Sequence, residues 1–216
     1  LPDVENLASH ITVLVDSIIA DAGQFCTKPG VIFCPSSLIE ETIRIMNLRF
    51  NQTPCHPMLH PTIQNRYQTR LHEIQTTSVG TLHQGKADEF GAPQGFLHVS
   101  HIEFNTNKTL TQEVFGPFCI LVEYLDMDPI EKTLSLLQGQ LTTTIIGRNP
   151  QESKLYSIAC SSAGRIILNG VPTGVSVVPA MHHGGPYPAS SDSRFTSVGE
   201  ASILRFIRYV SVQKLP

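Results

Sequence analysis

The stretch 23-GQFCTKPGVIFCPSS-37 decides how this chain is read. A helical apolar period at Leu7, Ile11, Leu14, Val15, Ile18 and Ile19 runs up to it, and Gly23 supplies a C-terminal stop. Val31-Ile32-Phe33-Cys34 follows a Pro-Gly turn and predicts a buried strand. Ser36 or Ser37 then offers a cap for a helix with Leu38, Ile39, Ile43, Ile45 and Met46 on its apolar side. Helix, turn, buried strand and helix make the repeating unit of an α/β sheet. The same stretch sets a thiol, Cys26, in the turn between first helix and first strand. It reads either as a small core hydrophobe in a loop or as a nucleophile.

Working outward, 53-TPCHPMLHP-61 has three prolines and is an irregular connection, after which Ile63, Tyr67, Leu71 and Ile74 mark a helical face. Residues 84–95 form a polar turn region. Strands are expected at His98–Phe104 and Phe118–Tyr124. Asp128-Pro129-Ile130-Glu131 is a helix start, with a cap, a proline in the first turn and an acid at the third position. A strand at Leu141–Ile146, a helix over Gln151–Ser161 and a strand at Arg165–Leu168 follow. The alternation predicts an α/β fold, a mostly parallel sheet with helices on both faces. Residues 182–199, HHGGPYPASSDSRFTSVG, form a long loop of the kind that carries function or lines an interface. After a short helix near Ala201–Arg208, Tyr209–Gln213 alternates as a strand with no chain left to pair it, a candidate for extending another subunit's sheet.

The composition excludes several classes. The 216 residues suit one domain, able to bury a core without disulfides or metal. A formal net charge of −3 offers no footprint for nucleic acid or an anionic membrane, and no run of apolar residues reaches a membrane span. Five cysteines, an odd number without a CxxC pair, fit a reducing cytoplasm rather than a disulfide framework or zinc site. The chain opens on Leu-Pro-Asp without an initiator methionine, which reads as the middle of a longer protein.

Cys26 lies beyond a helix C-terminus, whose negative partial charge opposes negative charge on a nearby sulfur. A base from elsewhere must therefore arm it. One reading is a Cys/His hydrolase drawing its base from His182 or His183. His56 and His60 have a metal-like spacing, but the prolines at 54, 57 and 61 make a structural turn the better reading. In 112-QEVFGP-117, Glu113 and Phe115 stand two apart, so on extended backbone they share a side. The carboxylate suits a ribose diol and the ring a planar base; the alternative is a solvated acid at a strand entry.

GQFCTKPG, QEVFGP and RIILNGVPTG, in this order, resemble the C-terminal half of the aldehyde dehydrogenase superfamily, whose pattern is GQ-x-C-T, then E-[IV]-FGP, then G-R-x-x-x-N. PMLHP at 57–61, GQLTTTI at 139–145, NGVPTGV at 169–175 and AMHHGGPYPASSDSRFTSVG at 180–199 are similar to an NADP-preferring branch. That branch contains 2-oxoglutarate semialdehyde and fatty aldehyde dehydrogenases. The resemblance implies a three-layer catalytic domain over residues 1–205 and an oligomerisation strand over 206–216. It makes Cys26 the nucleophile, through a thiohemiacetal and a thioester, with its backbone N–H as half of an oxyanion hole. Glu113 and Phe115 hold the nicotinamide end of NADP or NAD. Phe25, Thr27, Pro179 and His182 line the aldehyde tunnel, and a dimer or tetramer is implied.

The family's glycine-rich cofactor turn, its oxyanion asparagine and its general-base glutamate have no counterpart in this sequence, and no GxGxxG occurs. The resemblance therefore implies a piece of the catalytic half, inactive alone, whose arming base belongs elsewhere. The alternatives are a truncated partner that only associates with complete subunits through its tail, and the cysteine hydrolase. Arg194 is a candidate for meeting a substrate carboxylate.

Overall fold

A computed structural model describes residues 6–85, 91–137 and 139–215 of the protein. Helix α1 (Leu7–Ile19) ends in a short 3-10 turn over Ala20–Gly23. Strand β1 (Val31–Pro35), helix α2 (Ser36–Gln52) and helix α3 (Pro61–Thr77) follow, then strands β2 (Thr81–Gln84) and β3 (Gly95–Ser100). Helix α4 (His101–Thr106), strand β4 (Phe118–Tyr124), helix α5 (Met127–Leu136), strand β5 (Gln140–Ile145), helix α6 (Lys154–Ser162) and strand β6 (Ala163–Leu168) complete the regular elements.

The main sheet has the order β1-β4-β3-β2; β1 and β3 run parallel to β4, and β2 is antiparallel to β3. Strand β4 is its axis. Alternate residues of a strand face opposite sides, and both sides of FCILVEY are covered. Phe118, Ile120 and Val122 join Tyr67, Leu71, Ile74 and Phe104 beneath α3 and α4. Cys119 and Leu121 join Ile11, Val15, Ile18 and Met46 beneath α1 and α2. Helices thus lie on both faces, as the alternation of elements predicts. Each such buried side chain contributes about 1.5–3 kcal/mol, so β4 is where the fold is least tolerant of truncation.

Several expectations change. Strands β5 and β6 form a separate parallel pair rather than continuing the main sheet. The strand expected over His98–Phe104 stops at Ser100, whose hydroxyl accepts from the Glu103 N–H and starts α4 instead. Neither Ser36 nor Ser37 is the cap of α2. Pro35 holds that position, while the Ser36 hydroxyl donates to the Tyr124 carbonyl and ties the helix start to β4. Helix α5 is capped at Asp126, two residues before the expected start. The expected helix over Gln151–Ser161 divides into a 3-10 turn at Pro150–Glu152 and α6, begun by the Ser153 hydroxyl accepting from Leu155. The helix near Ala201–Arg208 is a 3-10 turn at Glu200–Arg205. Part of the polar region 84–95, residues 86–90, lies outside the described residues. Residues 207–215 have no strand partner among the described residues and lie exposed, with Tyr209 100% and Val212 90% accessible. No described helix is long and apolar enough to cross a membrane.

Candidate active site

The turn after α1 is unusual backbone. Asp21, Ala22 and Gly23 all have positive φ, at 47°, 54° and 67°. At Gly23 a side chain is excluded as well as strained, because a Cβ there would lie 2.2 Å from the Gly116 carbonyl carbon and oxygen. The two motif loops, 23–30 and 112–117, therefore touch backbone to backbone. The contact is fastened twice more. Thr27 is buried, and Lys28 Nζ donates to the Phe118 carbonyl at 2.5 Å, at the head of β4. Burial pulls the Lys28 ammonium down to about 8, and the negative Glu113 carboxylate partly offsets it. The same burial pushes the Cys119 thiol up to about 12, which leaves it a neutral core residue.

This packing leaves Cys26 at the surface, in a turn closed by the Lys28 N–H donating to the Phe25 carbonyl. Among the described residues no backbone carbonyl takes the Cys26 N–H. The Cys26 sulfur lies 3.4 Å from His183 Nε2. His183 arrives from the 182–199 loop, which returns to the main sheet from the β5–β6 pair. Its N–H donates to the Thr196 hydroxyl at 2.9 Å, and its carbonyl accepts from the Ser197 N–H and hydroxyl. On β6, Arg165 donates to the carbonyls of Pro172 and Gly174 and so gathers the chain that leads into this loop. His183 is held below the ordinary imidazole value, chiefly by partial burial, with the Arg165 charge and His182 adding to it. Its ring is therefore neutral at pH 7 and able to accept a proton from the thiol.

Of the two histidines, His183 touches Cys26; His182 is half-buried beside it. Cys26, Thr27 and Glu113 line one cleft of about 800 Å³ that runs between β1 and β5. Phe25, Phe115, Pro179 and His182 are outside its lining. Glu113 and Phe115 are both exposed, Phe115 by 37%, and Val114 between them is buried, so the two do share a side. Arg194 is already engaged: Nη2 and Nε donate to Asp192 at 2.6 and 3.0 Å, and that pairing holds the Asp192 carboxyl down at about 2. His60 is a helix cap, its Nδ1 accepting from the Thr62 N–H with Pro61 in the first turn of α3. Among the described residues no cluster of three potential metal ligands occurs.

No protein-family model matches the chain. Among curated proteins it is 34% identical over 214 residues to alpha-ketoglutaric semialdehyde dehydrogenase 2 of Azospirillum brasilense, covering 95% of this chain and 40% of that protein. It is 36% identical over 207 residues to alpha-ketoglutaric semialdehyde dehydrogenase of Acinetobacter baylyi, covering 92% and 39%. The chain thus spans about 40% of the length of these relatives. Among solved structures, lactaldehyde dehydrogenase from Escherichia coli superposes with a TM-score of 0.77 at 14% identity over 93% of this chain and 43% of that one. Proline utilization A from Bdellovibrio bacteriovorus superposes with a TM-score of 0.76 at 17% identity, over 93% and 21%. These two likenesses concern the fold alone.

Proposed function

We propose, from the premise that the chain belongs to the aldehyde dehydrogenase superfamily and matches its C-terminal half, that it carries the nucleophile of an enzyme oxidising an aldehyde to a carboxylate. The observation behind this is the exposed Cys26 sulfur, 3.4 Å from a neutral His183, at a cleft that also takes in Glu113. Cys26 Sγ adds to the aldehyde carbon while His183 Nε2 takes the thiol proton. The Cys26 N–H donates to the oxygen that gains negative charge. The acyl group is then carried as a thioester on Cys26, and hydrolysis frees the carboxylate and returns the thiol.

A nicotinamide dinucleotide, NADP or NAD, is the hydride acceptor when bound. The residues present fit one end of it: the exposed Glu113 carboxylate suits a ribose diol and the Phe115 ring a planar base. The sequence holds no glycine-rich turn for its phosphates. We therefore expect no aldehyde-dependent NADP reduction from this chain alone; steady reduction by the purified chain would overturn that expectation. Alpha-ketoglutaric semialdehyde is the aldehyde favoured by both curated relatives' names. Of the residues expected on its path, Thr27 lines the cleft beside Cys26 while Phe25, Pro179 and His182 lie outside that lining, and the cation for its carboxylate is sought outside Arg194, which Asp192 already pairs.

The deciding test is Cys26→Ala in the full-length protein. Turnover should fall at least 10³-fold and aldehyde-dependent thioester trapping should vanish. Near-normal turnover would dismiss the nucleophile. The Cys26–His183 contact also favours a second reading, a cysteine hydrolase; ester cleavage by this chain that disappears in both Cys26→Ala and His183→Ala would support it. The tail over 206–216, apolar and exposed across its described residues 206–215, extends a neighbouring subunit's sheet in a cytoplasmic dimer or tetramer, beyond the catalytic unit 1–205. If its deletion leaves the sedimentation of the full-length protein unchanged, that role is excluded.

A further inference from the structure

Helix α3 takes no part in the chemistry described above, yet it touches the Glu113 loop at both ends. Arg70 is only 12% exposed. Its Nη2 donates to the Thr109 carbonyl and, at 3.4 Å, to the Gln112 carbonyl, immediately before Glu113. Its Nη1 is held by Glu73 Oε2 at 2.6 Å, one turn along the same helix. Three residues earlier, Tyr67 lies against the far end of the loop, where a Cβ on Gly116 would come within 2.4 Å of its ring. The Tyr67 hydroxyl is anchored on the Pro93 carbonyl at 2.5 Å. Between these two supports Leu110 and Val114 are buried in the core, and the exposed Glu113 carboxylate lines the cleft without a hydrogen-bonding partner among the described residues. A planar guanidinium with donors in a fixed fork suits two carbonyls and a carboxylate at once; a lysine ammonium, a single point, does not.

We propose that Arg70 is a positioning residue for Glu113: by gripping the Thr109 and Gln112 carbonyls it sets where the carboxylate meets the cofactor's ribose. The inference rests on the proposed dehydrogenase reading and adds a residue to it that neither motif contains. Arg70 touches neither the thiol nor His183, so its removal should leave the nucleophile alone.

The test is made in the full-length protein with Arg70→Ala, Arg70→Lys and Glu113→Gln, singly and combined. Arg70→Ala should raise the KM for NAD(P) about tenfold and leave the KM for aldehyde within twofold. Alkylation of Cys26 by iodoacetamide should keep its wild-type rate, and amide exchange at 112–115 should speed up. Arg70→Lys should recover less than half of the loss. In a Glu113→Gln background the Arg70→Ala penalty on cofactor KM should disappear, because the two changes act through one carboxylate. A cofactor KM within twofold of wild type overturns the inference. So does an undiminished penalty in the Glu113→Gln background, or a parallel loss of Cys26 alkylation, either of which would make Arg70 a general packing residue. Persistence of turnover in Cys26→Ala would instead sink the dehydrogenase reading itself, whatever Arg70 does.

Discussion

Two loops meet at the Cys26 sulfur, and they are held in different ways. Loop 23–30 is fastened to the main sheet: Gly23 lies against Gly116, Thr27 is buried and Lys28 is tied to the head of β4. Loop 182–199 packs its buried Gly184–Gly185 backbone on the two-stranded pair, where a Cβ on Gly164 would lie 2.1 Å from the Gly184 carbonyl oxygen, and Thr196 and Ser197 hold the His183 backbone by local hydrogen bonds. The nucleophile thus takes its position from the main sheet, and the imidazole takes its own from a loop seated on the smaller β5–β6 pair and tied by local hydrogen bonds. Damage to the first loop should appear as lost stability, damage to the second as altered reactivity.

The hardest break falls on the first loop. Gly23→Ala should destabilise the protein by about 2–5 kcal/mol, from roughly 1–2 for a positive φ and roughly 1–3 for overpacking. Neighbouring Ala22 already tolerates a φ of 54°, so the larger part comes from the Gly116 backbone, which cannot swing aside as a side chain can. Denaturant melts of the two proteins measure this. A loss under 1 kcal/mol would mean the two motif loops are less tightly joined than the 2.2 Å contact of a Gly23 Cβ with Gly116 requires.

His183→Ala should do the reverse. A free thiol is only a few per cent thiolate at pH 7, so removing its base should slow iodoacetamide alkylation of Cys26 by up to about 30-fold. The melting temperature should scarcely move, because His183 is half-buried and its backbone ties remain. The wild-type rate should persist across neutral pH and fall only below 6.5, since burial and the Arg165 charge hold the imidazole below that ordinary value. The same depression makes the folded form bind fewer protons than the unfolded one just below 6.5, so stability falls as pH drops through that window. A flat alkylation rate down to pH 5 would remove His183 from the chemistry.

How much of this was legible follows the same division. FCILVEY reads as a buried strand because apolar residues fill both faces, and the period at Leu7–Ile19 reads as a helix by simple spacing. The residues of the 23–30 and 112–117 loops are visible as motifs, and the shared side of Glu113 and Phe115 follows from extended backbone. Short polar TLHQ gives no strand signal, and β2 forms because β3 offers it a partner. The turn at Ser100 looks like strand because Val99 before it and Phe104 after it are both apolar, whereas the Ser100–Glu103 cap decides the outcome. Separation of β5–β6 from the main sheet is a matter of strand order, which no local pattern encodes. Nothing local distinguishes His182 from His183 either: the partner is chosen by a contact across 157 positions.

The finest test of the comparison is Thr196→Val. The Thr196 hydroxyl accepts from the His183 and Val198 N–H groups and donates to the Val198 carbonyl at 3.0 Å, although its own residue is 4% exposed. Valine keeps the bulk and removes those bonds. His183 and Val198 are both only half-buried, so water can take over part of what is lost. The cost should therefore sit near the low end for such groups, about 1 kcal/mol. If the loop's hydrogen bonds set the imidazole, this small loss should still slow Cys26 alkylation several-fold at pH 7, with unfolding otherwise near wild type. An unchanged alkylation rate would mean that the Gly184 packing on β6 holds His183 at the sulfur without Thr196, and the contrast between a thiol set by the main sheet and a base set by loop hydrogen bonds would fail.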